Sequence, residues 1–354
     1  MKRILMMILF AALLTGAVQA AELPRDLRES LPEEAEELLE TVDPSAIDGF
    51  STGVQTILST LTSQVPAVLE QRLRGSVSVL LVVILCSLVS GTGGMTDCIL
   101  PMAGACAITA LTAGSLDSLI GLGVKTIEDL QRFSKVLLPT LAAATAASGA
   151  MTTATLQQVT TVFLVDLLLN LMDGLLMPLM YLYIGVLTAS ACLPKNHLVG
   201  IAEGLKKLIT WILTTVLLCF TLYLSVARVI SGGVDAATVR IAKTTISGVV
   251  PVVGGIIAEV SETVLAGAGV LKNTIGIFGM LGVLAACAHP FLQLGVQYLL
   301  YKLTAFFASV MGEPELCKLV DGLGGAFGLV LGMTGACALL LLVSVLSCVA
   351  AVIP

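Results

Sequence analysis

Charge is what this chain has least of. Only 12% of its 354 residues are Asp, Glu, Lys or Arg, 57% are hydrophobic, and mean hydropathy is +1.02. A soluble globular domain carries about 25% charged residues, so that class is excluded. The apolar residues fall in long runs near the ~20 residues that cross a hydrocarbon core, and the short alternating segments of a β-barrel are missing. The expected fold is an all-α polytopic integral membrane protein. Catalytic signatures are missing as well: there is no HExxH, no GxSxG and no Walker A pattern. Two histidines, His197 and His289, are too few for a His-rich metal site. Nine cysteines, mostly in apolar segments, contain no CxxC pair, so neither zinc nor disulfides are expected. The chain has too little polar sequence for a soluble nucleotide-binding domain. No enzyme activity, cofactor or metal is expected.

What is present begins with a targeting pattern. Lys2 and Arg3 precede an apolar run at 4–14, and small residues end in Val18-Gln19-Ala20. This predicts a signal peptide over 1–20, cleaved after Ala20, which leaves the following residues outside the cytoplasm. An uncleaved first helix would place them on the same side. Residues 21–75 hold 11 acidic and 4 basic residues, whereas the remainder of the chain has a balance of only +1. Ser30-Leu31-Pro32-Glu33 has the form of a capping box with proline at the first helical position. The helix after it sets Leu31, Ala35, Leu38 and Leu39 on one side of an acidic surface. A second amphipathic stretch follows, with Phe50, Val54, Ile57, Leu58 and Leu61 at helical spacing. This region reads either as a solvated pre-membrane hairpin or as a docking surface for an extracytoplasmic partner. Its acidity argues against nucleic acid or anionic lipid.

The multi-span domain, 76–354, opens with a span at 76–89 that ends in Gly91-Thr92-Gly93-Gly94, and a second span covers 98–124. A polar connector at 125–135 leads to a small-residue segment at 134–156. A helical pair at 159–193 is divided near Pro178. A span at 208–230 leads to a connector carrying Arg240 and Lys243. A Pro- and Gly-interrupted segment at 247–273 precedes a second pair at 274–311, divided near Pro290. The final span is 323–353. Pro139 and Pro251 are 112 residues apart, as are Pro178 and Pro290. That shift overlays the order of elements and predicts two repeats, 98–209 and 210–321. Functional sites in duplicated membrane folds lie near broken helices at the repeat interface. Irregular backbone at membrane depth needs protein or a water-filled cavity around it.

Several polar residues sit inside apolar sequence. Glu259 and Glu262 share one helical face with Gly255 and Ala266; the face lines a functional interior or simply meets water at the interface. Asp117 lies in the second span. Asp166, Asn170 and Asp173, at i, i+4 and i+7, form a stripe that either lines an aqueous path or binds helix to helix. Arg228, His289 and Lys302 are available partners for these groups. Gly324, Gly328, Gly332 and Ala336, each four apart, make a small-residue ridge for close helix packing. If both proline-interrupted segments span, Lys195, Lys206 and Lys207 fall in the cytoplasm, in line with the positive-inside tendency.

Two stretches carry a family resemblance: FSKVLLPTLAAATAASGAMTTA (133–154) and GGVDAATVRIAKTTISGVVPVVGGIIAEVSETVLAGAGVLKN (232–273). With the signal peptide and acidic pre-domain, the chain resembles the stage III sporulation protein AE family of endospore-forming Firmicutes along nearly its whole length. The resemblance implies a multipass protein of the mother-cell membrane around the forespore. It also implies partners from the same operon, an ATPase and ring-forming membrane proteins, in a channel or secretion-like assembly. It carries no catalytic residue. The other function the residues allow is a self-contained proton-coupled secondary transporter working through Glu259, Glu262 or the aspartate stripe. If their face lines a polar interior, replacing both Glu259 and Glu262 with Leu should impair sporulation while membrane insertion stays normal. Full sporulation by a normally inserted double variant would show that the two carboxylates merely meet water.

Overall fold

The computed structural model describes residues 24–39, 49–90, 96–147, 153–192, 198–249, 254–311 and 314–350. Within them it describes the side chains other than those at 90, 96–98, 153–160, 162, 224–249, 254–268, 311 and 350. Among these residues no strand occurs. Two short helices, α1 (Arg25–Glu29) and α2 (Glu33–Leu39), precede α3 (Gly49–Ser90), α4 (Thr96–Ala147), α5 (Thr153–Leu171), α6 (Met177–Cys192), α7 (Leu198–Val249), α8 (Gly254–Met311) and α9 (Pro314–Ala350). A five-residue π-helical segment, Met172–Leu176, joins α5 to α6. Six described helical rods, α3, α4, α5–α6, α7, α8 and α9, are long and apolar enough to cross a membrane. The all-helical polytopic class is therefore as expected. The signal peptide and Pro251 lie outside the described residues.

The helices outrun the breaks that proline and charge seemed to set. Pro139 lies inside α4 and Pro290 inside α8, so the pair at 274–311 is one continuous helix. Proline removes one amide donor and crowds the carbonyl four residues earlier, and a buried helix can absorb that loss through its neighbours. Pro178 differs. Just before it, the Met177 amide donates to the Met172 carbonyl, the wider i→i−5 pattern that proteins use to accommodate a local misfit. The two prolines paired by the 112-residue shift thus occupy unlike backbone. The shift also places Thr96, the start of α4, on Leu208, ten residues inside α7. The polar connectors at 125–135 and around Arg240 are helical interior, because Lys, Arg, Glu and Gln are good helix formers.

The capping box at Ser30 is not formed. The Ser30 hydroxyl donates back to the Leu27 carbonyl (2.8 Å) and finishes α1, and the Pro32 carbonyl accepts the first amide bonds of α2. The apolar face foreseen there is nevertheless real. Leu27, Leu31, Ala35 and Leu39 are buried, with Leu38 packed against them. Leu31 and Phe133 of α4 both close over Gly282 of α8. The chain's own helices therefore cover the leucines, and only the acidic side of α2 remains exposed.

At the centre stand α8 and α9, joined across the two positions 312–313 and packed along their lengths. In the most apolar stretch of each, 61% of residues are buried inside the chain, against 11% for α7. The small-residue ridge explains the close approach. A Cβ on Gly324 would lie 3.1 Å from Tyr301 Cβ, and one on Gly328 would lie 2.9 Å from the Tyr298 ring. Each step of four residues turns about 40° around a helix of 3.6 residues per turn. By Gly332 the ridge has therefore left α8 and faces Leu213 of α7. Gly123 of α4 approaches the same helix from another side, where a Cβ would lie 2.3 Å from Val330 Cγ1. Gly328→Leu and Gly123→Ala should each lower stability by about 1–3 kcal/mol through overpacking. The neutral control is Leu339→Ala, at a side chain 54% exposed. Thermal unfolding in detergent reads the difference; equal melting of all three variants and the wild type would exclude the tight seam.

Candidate functional site

Two polar sites stand out. The first is the stripe on α5. Asn170 Nδ2 donates to Asp166 Oδ2 (3.1 Å), as the i,i+4 spacing predicts. Among the described side chains the partners come from α4, and neither His289 nor Lys302 is one of them. Gln131 Nε2 donates to Asn170 Oδ1 (2.8 Å) and lies 3.4 Å from Asp166 Oδ1, while Lys135 Nζ pairs with Asp166 Oδ1 at 3.5 Å. Gln131 and Lys135 are themselves four apart, so two i,i+4 pairs meet across the α4–α5 contact. Both ionic partners are well exposed, which makes this helix-to-helix bonding at a wet surface. Asp173 sits in the π-helical segment, half-buried, and Asp117 lies exposed on α4. Glu259 and Glu262 fall on the first turns of α8, and their side chains, like that of Arg228, lie outside the described residues.

The second site was not visible in the sequence. A cavity of about 680 Å³ opens between α6, α7 and α9, beside the chain connections at 193–197 and 312–313. Glu203 and Lys206 line it from α7, Glu315, Lys318 and Asp321 from α9, and Tyr183 from α6. The Tyr183 hydroxyl donates to the Gly322 carbonyl (3.0 Å), tying α6 to α9 at the cavity wall. Gly325 leaves room for the Lys206 ammonium, since a Cβ there would lie 2.9 Å from Lys206 Nζ. Lys302 reaches across from α8 and pairs with Asp321, and its ammonium also stands 6.0 Å from the Tyr298 ring centroid. The foreseen intramembrane cation Lys302 thus has a partner, but on α9. Carboxylates and ammoniums alternate around the lining, an arrangement suited to a polar or zwitterionic guest or to a charged segment of a partner. Cys106 and Cys192 place their sulfurs 3.5 Å apart near the same end of the bundle. Among the described residues no group of three or more metal-ligating side chains occurs.

Comparison with known proteins bears on this arrangement. Residues 40–352 match the family model described as Stage III sporulation protein AE. The chain belongs to that family. A protein named Stage III sporulation protein AE, from Bacillus subtilis (strain 168), is 25% identical over 211 residues, covering 60% of this chain and 53% of that protein. The chain thus spans about half the length of this curated relative. No solved structure matches.

For a stage III sporulation protein AE family member, the cavity supplies residues to test that sequence spacing could not. Its charges come from two helices, α7 and α9, more than a hundred residues apart, and a period along one helix carries no trace of them. The Lys302 and Asp321 side chains are 33% and 48% exposed, so their pair contributes at most about 1 kcal/mol. Lys206→Met and Asp321→Asn should therefore leave the protein folded and inserted. If the cavity works in sporulation, both variants should reduce spore yield well beyond any loss of protein. Wild-type spore counts from both would make the cavity a packing defect.

Proposed function

We propose that this chain is a permease-like or scaffold subunit of a multiprotein channel that links mother cell and forespore, seated in the mother-cell membrane. The observation that carries this reading is the anchored acidic surface at the N-terminal side. Glu33, Glu34, Glu36 and Glu37 are exposed on α2, while Ala35 and Leu39 of the same helix, and Leu31 just before it, are buried against the bundle. A helix fixed by its apolar face presents its charges on a rigid support, which is what a docking partner requires. A self-contained transporter has no use for such a plate.

With the N-terminus outside the cytoplasm, six crossings leave the acidic plate outside and turn the connections at 91–95, 193–197 and 312–313 to the cytoplasm. Lys195 then lies inside, as the positive-inside tendency favours. The charged cavity would open toward the side where a cytoplasmic ATPase of the same operon could act, and the acidic plate toward ring-forming proteins between the two membranes. The outer helices present large apolar side chains, among them Phe163, Trp211, Leu218 and Leu222, to be covered by lipid or by neighbouring subunits. In this role the chain hydrolyses nothing and draws its energy from a partner.

Reversing charge at Glu33, Glu34, Glu36 and Glu37 to Lys tests the docking surface without touching the buried leucines. Recovery of the operon's partner proteins from solubilised membranes should fall sharply, and wild-type recovery should weaken as salt rises, because exposed charges act mainly on association and are screened. Undiminished partner recovery by a stably inserted quadruple variant would reduce α2 to a spacer.

A further inference from the structure

The contact between α3 and α8 contains a polar seam that neither the stripe nor the cavity uses. On α8, His289, Gln293 and Gln297 recur every four residues, and from α3 the first two are met by Gln64 and Arg72, with Ser76 buried one turn further along α3. The bonds run in one direction. Arg72 Nη2 donates to Gln293 Oε1 (2.7 Å). The Gln293 amide nitrogen lies 2.6 Å from His289 Nε2, so that ring nitrogen is the acceptor. His289 Nδ1 then carries the proton and faces Gln64 Oε1 at 3.4 Å. In this arrangement His289 is neutral and adds no charge to the seam.

Three polar atoms are left over, and all belong to this seam. Arg72 Nε, Ser76 Oγ and Gln297 Oε1 are buried without a hydrogen-bond partner. Ser76 is 3% exposed and Gln297 2%. Ser76 lies one helical turn beyond Arg72, and Gln297 one turn beyond Gln293, so the three continue the two faces that the Arg72–Gln293 bond joins. Buried polar atoms in native proteins find a partner in all but a few cases. Among the described residues Arg72 also has no carboxylate within ion-pair distance, although its neighbours Glu70 and Arg74 pair with each other at 3.6 Å. A water molecule could satisfy the hydrogen bonds but would leave the half-buried guanidinium without a counter-charge.

We propose that Arg72, Ser76 and Gln297 form a binding site for a phosphate group, supplied by a lipid headgroup or by inorganic phosphate. Guanidinium donors in a fixed fork match phosphate oxygens, and the Ser76 hydroxyl adds another donor. Gln297 fits after rotation of its amide, a choice set by the surrounding bonds and not by atom positions. Its oxygen then accepts from the Tyr301 hydroxyl, which lies within hydrogen-bonding reach, and its NH₂ turns to the seam. Position favours phosphate as well. Arg72 directly precedes the apolar run 76–89, where a spanning helix meets headgroups and where basic side chains engage them.

The test uses the full-length protein, extracted in detergent and stripped of lipid by repeated exchange. Thermal unfolding is followed while inorganic phosphate replaces gluconate at constant ionic strength, and separately while short-chain phosphatidylglycerol replaces the matching diacylglycerol. A saturable rise in melting temperature is expected from at least one phosphate source. Loss of a charge-assisted bond should weaken the apparent affinity of Arg72→Gln by at least about tenfold, with Ser76→Ala weakened in the same direction. A response to inorganic phosphate defines a small-anion site, and a response to phosphatidylglycerol alone defines a headgroup site. No response to either source, or a response that Arg72→Gln leaves unchanged, overturns the proposal and assigns the seam to water. Should Arg72→Gln fail to fold, Ser76→Ala decides: it removes one hydroxyl from an otherwise intact contact, and unchanged affinity in that variant also overturns the site.

Discussion

The approach of α9 to α8 governs most of the rest. Gly324 and Gly328 let the two backbones come close enough for Tyr298 and Tyr301 to lie against the glycine face. In lipid there is no hydrophobic gain from bringing two apolar helices together, so van der Waals contact and a few polar bonds must do it. Close packing supplies the first, and the Lys302–Asp321 pair, at the end where the chain turns between the two helices, supplies one of the second. Once this pair is set, Gly123 can bring α4 onto Val330, Gly332 can receive Leu213 of α7, and Tyr183 can hold α6 to the Gly322 carbonyl. The charged cavity is what remains where α6, α7 and α9 diverge at the end of these contacts.

Class and packing were legible in the sequence, and tertiary polar partnerships were not. Long apolar runs announced the helices, and the four-residue spacing of Gly324, Gly328 and Gly332 announced a close contact. Spacing says which residues share a face of one helix, as for Asp166 and Asn170, but not which helix will meet that face. Gln131 and Lys135 became their partners only when α4 continued as a helix through a charged stretch that read as a connector. The same limit hid the cavity, whose Lys206 belongs to α7 and whose Lys318 and Asp321 belong to α9. Pro290 misled for a related reason. It marks a lost amide bond, and whether the helix ends there is decided by what surrounds it. The leucines of α2 were read correctly as an apolar face, but their occupant turned out to be Phe133 and the small-residue surface around Gly282.

Polar chemistry is distributed unevenly over this bundle. In the stripe on α5, Asp166 and Asn170 are bonded to α4 and exposed, so water can replace a lost partner there. The seam between α3 and α8 is the reverse: its atoms are enclosed, several lack partners, and one carries charge. Substitutions at the two places should consequently differ in kind, with small graded effects at the first and cooperative ones at the second.

The length of α4 has a mechanical meaning. Its 52 residues form a rod about 78 Å long, whereas the hydrocarbon layer is roughly 30 Å thick. Tilts of up to ~40° cannot absorb the excess. Between 125 and 135 the rod carries Lys125, Glu128, Asp129, Arg132 and Lys135, most of them exposed, and such a belt belongs in water. The helix therefore leaves the bilayer without ending, and it carries Phe133, which closes with Leu31 over Gly282 of α8, to a set height above the membrane. α4 acts as a ruler: Leu31, at the entry to α2, is held beside it at a distance fixed by counting residues, and a push on that segment reaches α4 and α8, two helices that run on into the spans below.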